Sequence, residues 1–108
     1  MPSNLKKRIG VDIGRRANLE DGLAWAAKNE VFYIDIQLDS DANAMETFDE
    51  ARCKTVKKIC RDHGIHLGLH TLSGVNMAEY SNFFRQAADE YLRAYIDMAT
   101  RLDAEWIV

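Results

Sequence analysis

The chain has 108 residues, 47% of them hydrophobic, the size and apolar content of one ordinary globular domain with a modest core. Its net charge of −3 and pI near 5.5 come from interspersed acids and bases, with no basic run to follow a nucleic-acid backbone, so nucleic acid is not expected as a partner. The short basic start, Met1 to Arg8, leads into a strand-like segment rather than the longer apolar stretch of a signal peptide, and no apolar run approaches the ~20 residues that span a bilayer. A soluble, cytoplasmic protein with no membrane partner is the expectation.

Along the chain the hydrophobic period switches between that of strands and that of helices, with no Pro/Gly/Ser-rich linker, so residues 1–108 are expected to form one unit without an internal boundary. The first strand is predicted over Arg8 to Ile13, with Ile9, Val11 and Ile13 on one face and Gly10, Asp12 and Gly14 on the other. A turn over Gly14 to Asn18 follows, and Asn18 can cap the amide of Asp21 to start a helix that buries Leu19, Leu23, Ala26 and Ala27 and ends near Asn29. The second strand, Val31 to Leu38, alternates Phe32, Ile34, Ile36 and Leu38 against Val31, Tyr33, Asp35 and Gln37.

The spacing Thr47-Phe48-Asp49-Glu50 predicts a capping box for the second helix, with Phe48, Ala51, Val56 and Ile59 as its buried stripe and His63-Gly64 as its left-handed close. Cys53 and Cys60 lie on this helix, where a rise of ~1.5 Å per residue puts them roughly 10 Å apart. That exceeds the ~7 Å limit for a disulfide, so both read as small residues on or beside a buried face. The third strand runs from Ile65 to Thr71, a polar connection reaches Ser81, and a helix over Asn82 to Leu102 carries Phe84, Ala88, Tyr91, Tyr95, Met98 and Leu102 at helical spacing. Glu105 to Val108 begins a fourth strand.

The order β-α-β-α-β-α-β implies right-handed crossovers and parallel strands. A dinucleotide-binding open sheet would show a third glycine in the first turn, which Gly10-Val11-Asp12-Ile13-Gly14 lacks. A closed barrel instead puts one strand face under the helices and gathers polar side chains in the lumen, toward the carboxyl ends. Three strands follow that second pattern, with Gly10/Asp12/Gly14, Tyr33/Asp35/Gln37 and His66/Gly68/His70 as lumen sets. The fold class read from the sequence is therefore α/β, the amino-terminal half of a (β/α)8 barrel.

Ionisable groups in a lumen need partners, water or a ligand, because burying them unpaired costs several kcal/mol. His70 has two open readings: a metal ligand or donor to a substrate oxygen, or a core histidine satisfied by a neighbouring Asp. Asp12 is read as structural, paired with Arg15 or Arg16 or capping a turn, and Asp35 stays open between structure and site. His66, deeper in its strand, and His63, in a helix's last turn, are read as structural. The Thr71 to Ser81 connection exceeds the ~2 to 6 residues usual between strand and helix and carries Ser73, Asn76, Glu79 and Tyr80. It reads either as a ligand-holding loop or as a surface excursion that caps the next helix through Ser81 or Asn82.

Gly68-Leu69-His70-Thr71-Leu72-Ser73-Gly74-Val75-Asn76-Met77-Ala78-Glu79-Tyr80 and Ala104-Glu105-Trp106-Ile107-Val108, with Gly10 to Gly14 and Gly22-Leu23-Ala24-Trp25-Ala26-Ala27, resemble the sugar phosphate isomerase/epimerase branch of the xylose-isomerase-like TIM-barrel superfamily. The resemblance spans nearly all of the chain. It implies a barrel completed by further βα units, a divalent metal (Mn, Mg or Zn) held by carboxylates and histidine of later strands, and metal-assisted proton transfer beside a carbonyl of a sugar or sugar phosphate. His70 is the residue matching the superfamily's motif; in the apurinic-endonuclease branch it binds zinc, and in the sugar branch it lines the substrate pocket.

The candidate substrate-binding residues are therefore His70, Asp35, Asn76 and Glu79, with His70 the candidate metal ligand and the catalytic carboxylates unassigned in this segment. Two other functions fit the same residues: a non-catalytic half-barrel binding or assembly module, and a metal-dependent phosphodiester hydrolase of the apurinic-endonuclease type. An open half barrel is expected to self-associate through its unpaired strand edges or to be only marginally folded, and to have no isomerase or epimerase activity alone.

Overall fold

The structure, a computed structural model, describes residues 3–15 and 17–108, so the expected pairing of Asp12 with Arg16 lies outside the described residues. A short helix, α1 (Ser3–Lys6), precedes β1 (Gly10–Asp12), α2 (Leu19–Lys28) and β2 (Tyr33–Ile36). Two 3₁₀ turns, Asp41–Asn43 and Met45–Thr47, lead into α3 (Glu50–His63), followed by β3 (His66–Leu69), α4 (Asn82–Leu102) and β4 (Trp106–Ile107). The strands form one parallel sheet in the order β1-β2-β3-β4, half of a (β/α)8 barrel. Among the described residues no helix is long and apolar enough to cross a membrane.

The alternation read from the sequence sets which side chains meet the helices. Ile34, Ile36, Leu38, Leu67 and Leu69 are buried against Leu19, Leu23 and Ala26 of α2, Val56 of α3, and Tyr95, Met98 and Leu102 of α4. The opposite face stacks in register, with Gly10, Tyr33 and His66 in one layer and Asp12, Asp35, Gly68 and Trp106 in the next. The strands themselves are shorter than the alternation suggested, although ladder bonds continue past their ends, as from the Ile13 amide to the Asp35 carbonyl at 3.2 Å.

Local capping follows the sequence at α2 and departs from it at α3. Asn18 accepts the Asp21 amide at 2.8 Å, as its position predicts. At α3 the cap is Asp49, whose carboxylate accepts the Arg52 amide at 2.7 Å. Thr47 is held in the preceding 3₁₀ turn, its hydroxyl donating to the Ala44 carbonyl at 2.6 Å, so the helix starts two residues later than the capping-box spacing implied. The buried stripe shifts with it: Ala51 is exposed, and Cys53 joins Val56 in the core. Gly64 ends α3 at φ 64°, a left-handed conformation that glycine adopts without a Cβ penalty.

The boundaries of α4 match the sequence reading, but its amino-terminal turns are largely exposed. Phe84 is 62% exposed, and the stripe is fully buried only at Tyr95, Met98 and Leu102. Ser81 occupies the cap position without a side-chain bond; instead the Glu79 carboxylate accepts the amides of Tyr80 at 3.0 Å and Ser81 at 3.4 Å.

Arg52 binds three segments together. Its guanidinium makes a two-pronged bond to Glu20 of α2 (Nε–Oε1 2.6 Å, Nη2–Oε2 3.0 Å), donates to the Ala42 carbonyl at 2.9 Å, and lies 4.0 Å from the centre of the Phe48 ring. Such a fork-on-fork pair is geometrically selective as well as charge-assisted. The Arg52 hydrogen bond holds the Glu20 carboxyl below its ordinary value against the opposing effect of burial. A depressed folded-state value means that this pair stabilises the fold above the unfolded glutamate's titration, near pH ~4.3, and that the contribution is lost as pH falls through the folded value. Glu20→Gln should therefore melt below the parent at pH 7, and the gap should narrow as pH falls below the unfolded glutamate's titration; a gap of constant size in acid would refute this role for the pair.

Candidate active site at the carboxyl ends of the strands

Three ionisable side chains from three consecutive strands meet on the lumen face. Asp12 ends β1, Asp35 is the third residue of β2, and His70 follows β3 directly. One donor atom from each lies within 4.8 Å of the other two. Parallel strands in register bring this about: Asp12 pairs with Asp35 across the ladder, and the His70 amide donates to the Ile36 carbonyl at 2.9 Å, continuing the β2–β3 ladder one step past the strand.

Each member has a defined neighbour. Asp12 Oδ1 accepts the Gly14 amide at 2.6 Å, the turn-capping role expected of it, and Gly14 sits at φ 76° to complete that turn. Asp35 Oδ1 accepts the indole N–H of Trp106 at 2.6 Å. Asp35 Oδ2 faces His70 Nδ1 at 3.5 Å, too long for a strong hydrogen bond. His70 is thus only loosely engaged by the aspartate that the core-histidine reading would have satisfied it with. A cavity of about 270 Å³ lies beside Asp12 and Asp35, bounded also by Gly10, Val11, Tyr33 and Trp106.

The other candidates lie elsewhere along the connection after His70. Asn76 accepts the Ala78 amide at 3.0 Å, and Glu79 caps the start of α4 as described above. Both line a second hollow of about 270 Å³ with Leu72, Val75, Phe84 and Tyr91, separate from the cavity at Asp12 and Asp35. Gln37 is half-buried on the lumen face.

A second polar cluster, which the sequence did not reveal, supports the strand ends from the helix side. Tyr91 and Tyr95, one turn apart on α4, donate to the two oxygens of Asp39 at 2.7 and 2.9 Å. Their own oxygens accept the amides of Leu72 at 3.0 Å and Leu38 at 2.9 Å. Burial pushes both phenols above their ordinary values, and the Asp39 carboxylate pushes the same way, so both remain protonated donors at neutral pH. The signal available in the sequence was a pair of tyrosines inside an apolar stripe, since buried hydroxyls need partners. Asn43 is also buried and was missed; it accepts the Leu19 amide at 2.8 Å and donates to the Ala17 carbonyl at 2.9 Å, fixing the entry to α2.

His66, read from the sequence as structural, has Nδ1 2.6 Å from a Glu105 oxygen and its ring stacked on Tyr33 at 4.9 Å. Burial, reinforced by the charge of Glu105, pushes the Cys60 thiol up to about 11, so it is protonated at neutral pH and no nucleophile.

The fold is similar to that of a D-psicose 3-epimerase solved in the presence of D-fructose, with a TM-score of 0.74 at 17% sequence identity. The match covers 91% of this chain and 35% of that chain, so this chain spans about a third of the epimerase's length. No protein-family profile and no curated protein sequence matches the chain.

Proposed function

We propose that residues 1–108 form one continuous part of a xylose-isomerase-like barrel, and that the complete protein transfers a proton between adjacent carbons of a sugar or sugar phosphate. The observation that carries this reading is the convergence of Asp12, Asp35 and His70 from three strands at the carboxyl end of a parallel barrel sheet, the end at which such barrels hold their substrates. The epimerase fold of the neighbouring structure supports the same reaction class.

The donor set fits a divalent metal such as Mn, Mg or Zn: two carboxylates and an imidazole supply hard and borderline ligands. Asp12 and Asp35 each keep one oxygen outside the bonds to Gly14 and Trp106. When bound, such a metal polarises the carbonyl and hydroxyl oxygens of a sugar. The remaining chemistry belongs to the side chains. His70, only loosely engaged by Asp35 at 3.5 Å, can give a hydrogen bond to a substrate oxygen or hold a proton there. Asn76 and Glu79, on the connection leaving His70, line a separate hollow and would belong to the substrate wall only at its outer edge.

Proton abstraction beside a carbonyl leaves a test that needs no knowledge of the product. The full-length protein, supplied with Mn²⁺ and a panel of ketoses and ketose phosphates in D₂O, should incorporate deuterium at the carbon next to the carbonyl, seen as loss of that proton's NMR signal. No exchange with any member of the panel, from a folded and metal-supplied protein, would defeat the proposal and favour a half-barrel assembly module.

A further inference from the structure

Neither packing against the helices nor the proposed chemistry accounts for the indole of Trp106 on the lumen face. It lies in register with Gly68. A Cβ at Gly68 would sit 1.9 Å from the indole Cε2 and 2.0 Å from Nε1, so the missing side chain is what lets the ring lie flat across β3. By crossing β3 the ring reaches Asp35 on β2, where its N–H donates to Oδ1 at 2.6 Å. The Tyr33 ring, with centroids 6.3 Å apart, stands beside it in the layer below.

An indole has one donor and no acceptor, so in this contact the Asp35 oxygen is the acceptor. The bond is short and charge-assisted, the strong class of hydrogen bond. With Oδ1 held, Asp35 has one orientation, and its second oxygen faces the space shared with His70 at 3.5 Å. Without the indole, rotation about the Asp35 side chain would cost little, and the three donors would no longer converge.

We infer that Trp106 is a positioning residue: its indole N–H, admitted by Gly68, locks Asp35 so that the Asp12–Asp35–His70 cluster is preorganised for a divalent cation. The inference rests on the cation reading given above. Groups that orient a ligating side chain through a hydrogen bond typically change metal affinity by about 10- to 100-fold when removed.

The test replaces one atom group. Trp106→β-(3-benzothienyl)alanine puts sulfur in place of the N–H and keeps the ring shape. Mn²⁺ is titrated into the full chain, and binding at this cluster is read from paramagnetic broadening of the His70 imidazole resonances. The isostere should need about tenfold more Mn²⁺ than the parent. Gly68→Ala, which forces the indole aside while leaving its N–H intact, should weaken binding as much. Val56→Ala, which destabilises the core of α3 away from the cluster, should leave the Mn²⁺ midpoint unchanged at a temperature where all variants are folded. An unaltered midpoint in the isostere, or an equal loss in Val56→Ala, overturns the positioning role while leaving the cation reading in place. A parent chain whose His70 signals never broaden overturns both.

Discussion

Truncating Tyr95 to alanine should remove about 3–5 kcal/mol of stability, the range for deleting a fully buried aromatic side chain. The ring is completely buried between α4 and the sheet, and its hydroxyl is the meeting point of Leu38, Asp39 and the His70 carbonyl, the last 3.3 Å away. Native domains of this size have about 5–15 kcal/mol in all, so a large part of the fold's stability is at stake. Tyr95→Phe isolates the hydroxyl. It leaves the Leu38 amide without its acceptor and one Asp39 oxygen without its donor, which should cost about 1–3 kcal/mol. Urea denaturation followed by circular dichroism gives both values. A phenylalanine variant with the parent's midpoint would mean that water replaces the phenol at no cost and that the clamp on the strand ends is incidental.

His70→Ala in the full-length protein should lower turnover, or metal-dependent substrate affinity, by about tenfold or more, within the range for losing a positioned acid–base or ligand group. The melting temperature should hardly change, because the fold holds His70 by its backbone. Its amide is bonded to Ile36 and its carbonyl lies 3.3 Å from the Tyr95 hydroxyl, while the imidazole has only the 3.5 Å contact with Asp35. This contrast separates the two clusters at the strand ends: loss of Tyr95 should be felt in stability, loss of His70 in chemistry. Parent-level kinetics in the alanine variant would remove His70 from the site.

The sequence was legible in the inner repeats of the strands and of α4, and less so at their ends, where Ile9 and Phe84 of the apolar sets are exposed. Alternation in three strands separated the helix-facing aliphatics from Asp12, Asp35 and His70, and the periodicity of Asn82 to Leu102 set both ends of α4. It failed where short-range alternatives compete, as at Thr47, where a 3₁₀ turn takes the hydroxyl that the helix would have used and hands the cap to Asp49. It was silent where partners are distant. Trp106 and Asp35 are 71 residues apart and Tyr95 and Asp39 are 56 apart, and no local spacing encodes which buried donor finds which carboxylate. Asp12 shows the limit most sharply, since its reading as a turn cap describes its Oδ1 and leaves its second oxygen out of account.

The strictly sequential strand order also bears on how the protein is made. Each strand pairs with the one synthesised just before it, so a nascent chain can add βα units to a growing edge as they leave the ribosome, without waiting for distant partners. The lumen is assembled on a different schedule. Asp12 and Asp35 are side by side once β2 has docked, and His70 arrives with β3, but the Trp106 bond can form only after β4 has emerged. Until the fourth strand is laid down, the bond from Trp106 to Asp35 is therefore not available to the cluster.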